Sequence, residues 1–135
     1  MITPEQKAEF LKNGMLHIPG FYDVNKVLLP VMQGIYELIG LMLLESKITY
    51  SRKPFSLETF DDGIQALVQH DRRLVGYLYD AIKQIPAFNR IVAMKAHEEL
   101  FSCVHDASLP LVQFAGQGIR IDIPGEEQYR APWHQ

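Results

Sequence analysis

The sequence predicts an α+β chain in which helices come first and strands last. Three observations carry this. Val24, Val27, Val31, Ile35, Leu38 and Met42 recur at helical spacing. A second helical pattern runs from Leu57 to Ile85. Only after Leu111 does the period shorten, with Ile119, Ile121 and Ile123 alternating with Arg120 and Asp122.

Each element has its own signal. Thr3-Pro4-Glu5-Gln6 has the form of a capping box: a Thr oxygen accepts from the third helical N–H, Gln reaches back, and proline suits a first helical position. Phe10 and Leu11 give that helix an apolar face, and Asn13-Gly14 closes it. Met15 to Ile18 reads as a short strand stopped by Pro19-Gly20, and Asp23 caps the long helix. Ser46 to Pro54 is a linker. Ile64, Leu67 and Val68 face one way and Leu74, Leu78, Ile82 and Ile85 another, which predicts two helices with Asp71 capping the second. Pro86 breaks the run and opens another helix, through Ile91, Met94 and Leu100. Leu111 to Phe114 and Ile119 to Ile123 read as strands around a tight Gly116-Gln117-Gly118 connection.

Composition narrows the function classes. A chain of 135 residues, 47% hydrophobic and 21% charged, suits a single domain, here taken as 1–135 with helical support over 1–106 and strands over 111–135. A net charge of -3 gives no electrostatic reason to expect nucleic acid. One cysteine, Cys103, and a start without a basic and then apolar leader point to a reducing, cytoplasmic setting. The apolar stretch from Val27 to Leu44 carries Gln33, Glu37 and Pro30, and a carboxylate at mid-bilayer costs about 2.5–3.5 kcal/mol. It is therefore expected to be a core helix, with no membrane partner.

Candidate chemistry begins with five histidines. His17 sits on a strand expected near the surface. His70-Asp71 has the form of the dyad in HD-type metal phosphohydrolases, for which His97 and His105-Asp106 would have to supply further ligands, while Asp71 also has the plainer task of capping a helix. Cys103 lacks the neighbouring base and positive setting that a nucleophile needs. Arg120 and Asp122 share one face of their strand, where the plain reading is a solvated ion pair.

Two ends of the chain carry a family likeness. Phe10-x-x-x-Gly14-Met15-Leu16-His17-Ile18-Pro19-Gly20-Phe21 near the start, with Arg120-Ile121-Asp122-Ile123-Pro124-Gly125 and then Trp133-His134-Gln135, resembles the N-terminal half of the phytanoyl-CoA dioxygenase family. The order of motifs spans nearly the whole chain, and the helical middle agrees in character alone.

The resemblance implies an iron(II)- and 2-oxoglutarate-dependent dioxygenase acting on a small organic or acyl substrate. It makes the last strands the start of a double-stranded β-helix, or jelly roll. Two histidines and a carboxylate on one face of iron leave room for 2-oxoglutarate and dioxygen. His134 matches the first metal ligand and Gln135 the spacer before the carboxylate. Arg120 and Asp122 become candidate contacts to 2-oxoglutarate or substrate, and Trp133 a pocket wall.

A closed eight-stranded jelly roll needs roughly 70–100 residues. The stretch after Leu111 has room for only its first strands. The jelly roll is therefore expected to be incomplete, the chain to be the N-terminal part of a larger enzyme without turnover of its own, and its open strand edges to favour a homodimer. The alternative class is a non-catalytic helical interaction module.

Overall fold

The computed structural model describes residues 2–111 and 116–129. The first helix, α1 (Pro4–Asn13), begins as its capping box dictates: Thr3 accepts from the Gln6 backbone N–H at 3.2 Å and Gln6 Oε1 accepts from the Thr3 N–H at 2.8 Å. Gly14 ends it in the left-handed region, φ 70°, and donates to the Phe10 carbonyl.

Asp23 accepts from the Lys26 N–H and starts a π-helical turn, Val24–Leu28, that runs into α2 (Leu29–Glu45). Pro30 falls in the first turn of α2, where no intrahelical donor is lost. The stretch Val24–Glu45 is long and apolar enough to cross a membrane by length and composition. In the fold its Val31, Ile35, Ile39 and Leu43 lie in the helical core. That stripe is turned from the expected one, since successive steps of four replace the step from Ile35 to Leu38. Leu38 and Met42 pack at its margin.

The linker after α2 is held in place. Lys47 turns the chain at φ 55°, Tyr36 donates to the Lys53 carbonyl, and Arg52 lies over the Tyr36 ring, 3.5 Å from its centroid. A run of turns leads to Gly63, whose φ of 104° admits α3 (Ile64–His70) close against α2. Next come α4 (Arg73–Ile82), α5 (Pro86–Val92) and α6 (Lys95–His105). The single helix expected beyond Pro86 is thus two, with Met94 extended between them at ψ 129°. The two halves serve different neighbours: α5 packs on α2, α6 on α1, and a straight helix would not reach both.

The core joins α2, α3, α4 and α5 through Ile35, Ile39, Leu67, Leu78, Ile82 and Phe88. Cys103 is half-buried on α6.

The strand expectations fail. Among the described residues no strand forms, so the chain shows helices followed by irregular structure and a short 3₁₀ turn, Glu127–Tyr129. The α+β assignment and the jelly-roll start at 111–135 are corrected accordingly. Met15 to Ile18 and Ile119 to Ile123 keep the alternation in burial that suggested strands, yet neither has a ladder partner. Alternation fixes which face a side chain takes; a strand needs a neighbour's N–H and C=O as well. Of the expected Leu111 to Phe114 strand, residues 112–115 lie outside the described residues, as do 130–135.

Candidate functional site

The segment after Gly118 lies along α4 and encloses with it an open cleft of about 460 Å³. Arg72 and Tyr79, two helical turns apart, provide the wall on the α4 side. The opposite wall is Arg120 to Glu127 with Tyr129. Ile119 and Ile121 pack on the helical core, which turns Arg120 and Asp122 outward.

Three ties fasten this segment. The Tyr79 hydroxyl donates to the Ile121 carbonyl at 2.5 Å. Arg72 Nε donates to both Glu126 carboxylate oxygens, at 2.8 and 3.1 Å, and its guanidinium lies 4.3 Å from the centre of the Tyr129 ring. Arg120 Nε donates to Asp122 at 2.6 Å, and its Nη2 to the Tyr129 carbonyl.

The cleft is consequently balanced in charge. The Arg72–Glu126 pair is the more sheltered, with side chains 26% and 19% exposed, against 45% and 70% for Arg120 and Asp122. A dicarboxylate such as 2-oxoglutarate would have to part Arg120 from Asp122, or Arg72 from Glu126, before taking either guanidinium. The pairing of Arg120 with Asp122 is the plain reading of that sequence; their place on a cleft wall is the cofactor reading. Arg72, Tyr79, Glu126 and Tyr129 were not singled out by sequence. The spacing of Arg72 and Tyr79 on one helical face was the available signal.

Trp133 and His134 lie outside the described residues. Among the described residues no group of three or more His, Cys, Asp or Glu side chains is placed to hold a metal, so these residues alone do not make an iron site.

The HD-type dyad is engaged elsewhere. Asp71 accepts from the Arg73 backbone N–H at 2.9 Å as α4 begins, and from its guanidinium at 2.7 Å. Those bonds, the side-chain one first, hold its carboxyl below the usual carboxylate range. His97 Nε2 meets the Tyr22 hydroxyl at 2.8 Å with Phe21 stacked on its ring. Asp106 pairs with Lys7 at 2.6 Å. These contacts give the candidate hydrolase ligands separate structural tasks.

A second, apolar groove of about 440 Å³ joins the two ends of the chain: Phe10, Leu16 and Ile18 share it with Phe101, Leu111 and Gln117. No protein family, curated protein or solved structure matches this chain.

Proposed function

We propose that this chain supplies the helical part and one metal ligand, His134, of an iron(II)- and 2-oxoglutarate-dependent oxygenase of the phytanoyl-CoA dioxygenase type, acting in the cytoplasm on a small organic or acyl substrate. One observation carries the reading. Two motif-bearing segments about a hundred residues apart, F-x-x-x-G-M-L-H-I-P-G-F and R-I-D-I-P-G, stand in the family's order, with W-H-Q after them. Their placement supports it: Leu16 and Ile18 of the first lie in one groove with Leu111 and Gln117, just before the second.

Bound iron and 2-oxoglutarate would supply the oxidising chemistry. The chain's own part is positional. Arg72, Tyr79 and Arg120 hold residues 120–129 against α4, and His134 follows a few residues later. The remaining carboxylate and histidine of the metal set would come from residues outside these 135.

Both guanidiniums in the cleft are already paired within the chain, which favours the second reading, a non-catalytic helical interaction module. The coding sequence past codon 135 and metal analysis of its product separate the two. Expected are an acidic residue directly after Gln135, a histidine farther on, and iron that the longer polypeptide binds and loses in His134→Ala. A stop codon at once, with no iron bound, would overturn the oxygenase reading and leave the interaction module.

A further inference from the structure

We infer that Ile119–Ile123 is a self-pairing seam, through which two copies of this chain join as antiparallel strands centred on Ile121. The inference rests on backbone geometry and charge, and stands apart from the oxygenase reading.

The segment is half of a strand pair already. Ile119, Ile121 and Ile123 are half-buried while Arg120 and Asp122 are exposed, and the first two isoleucines pack on the helical core. In extended chain the N–H and C=O of one residue point to one edge and those of the next residue to the other. Tyr79 takes the Ile121 carbonyl, so α4 covers that edge. The opposite edge carries the backbone groups of Arg120 and Asp122, and these have no hydrogen-bond partner among the described residues. An edge of this kind is a template for another strand.

The sequence selects which strand. Written against itself in antiparallel register about Ile121, Ile-Arg-Ile-Asp-Ile places Arg120 opposite the partner copy's aspartate and Asp122 opposite its arginine, while isoleucine meets isoleucine on the other face. Opposite charges directly across a ladder are stabilising, and like charges are destabilising. In this register Arg120 and Asp122 exchange backbone hydrogen bonds with their counterparts, using the groups that Tyr79 leaves free. Each arginine would then stand between two aspartates, its own at 2.6 Å and the partner's across the ladder. A lone two-stranded ribbon is marginal in water, but here each strand is backed by its own helical core.

Charge exchange tests the proposal. Sedimentation over a range of concentrations should show the unaltered chain as a dimer. Arg120→Asp and Asp122→Arg, each placing like charges opposite one another, should each weaken the dimer about tenfold or more. Mixing these two variants should restore it, because every facing pair is again of opposite sign; the double variant Arg120→Asp/Asp122→Arg should also dimerise. Helical circular dichroism identifies any variant that fails to fold, and the double variant then decides. Amide exchange at residues 120 and 122 should slow as concentration rises, with residue 121 unchanged. A monomer at every soluble concentration, single variants that dimerise like the parent, or a mixture that stays monomeric would each overturn the seam.

Discussion

Arg72 at the start of α4 grips Glu126 by both carboxylate oxygens, at 2.8 and 3.1 Å, fifty-four residues later in the chain. The contact ties the helical body to the segment that follows it. Because both side chains are mostly sheltered, removing either leaves its partner's charge poorly solvated. Arg72→Leu and Glu126→Leu should each lower stability by about 1–2 kcal/mol in urea titrations. The double variant should cost less than the sum, since two residues in direct contact are coupled. Additive losses would show that the pair contributes nothing.

Glycine at 63 is required twice over, by its φ of 104° and by crowding. A Cβ there would stand 2.8 Å from Leu43 Cδ1 and 3.0 Å from Ile39 Cγ2. Gly63→Ala should therefore cost about 2–4 kcal/mol. At Gly14 a Cβ would meet nothing within 4 Å, so Gly14→Ala bears only the left-handed backbone cost, about 1–2 kcal/mol. Comparing the two denaturation midpoints separates crowding from backbone strain.

The long apolar helix offers a contrast between its faces. Ile39 is fully buried, whereas Leu44 is 72% exposed. Ile39→Ala should cost about 2–5 kcal/mol through the cavity it leaves. Leu44→Ala should change stability by no more than about 0.5 kcal/mol. Equal losses at both sites would mean that another surface covers the outer face in solution.

Acid should release the bonds at Asp71. Its carboxyl titrates below the ordinary range because Arg73 bonds the charged form. A depressed folded pKa contributes stability above the unfolded value, and that contribution is lost as pH falls through the folded one. The melting temperature of the parent should thus exceed that of Asp71→Asn by a constant margin at neutral pH, and the margin should shrink in acid. The group is exposed, so the margin is small. A margin that grows in acid would contradict the assignment.

The local signals were read directly from the residues. The Thr3 capping box, the Gly14 terminator, the Asp23 cap and the proline at the head of α5 all act within a few bonds of their own position. Sequence also named Arg120 and Asp122 as neighbours on one face, which follows from the two-residue period of extended chain. The Met94 break had no such signal, since neither glycine nor proline stands there; it follows from α5 and α6 having different neighbours.

What the sequence by itself determined, then, was helix placement, helix ends and the two-faced character of Ile119–Ile123. Each depends on short-range sterics and on the pattern of apolar residues. Tertiary structure alone decided which α2 stripe is buried, that Arg72 meets Glu126 and Tyr79 meets Ile121, and that the alternating segment lies on α4 without a ladder. Those outcomes depend on groups far apart in the chain, whose meeting is governed by packing of the whole and by where unpaired backbone finds a donor or acceptor.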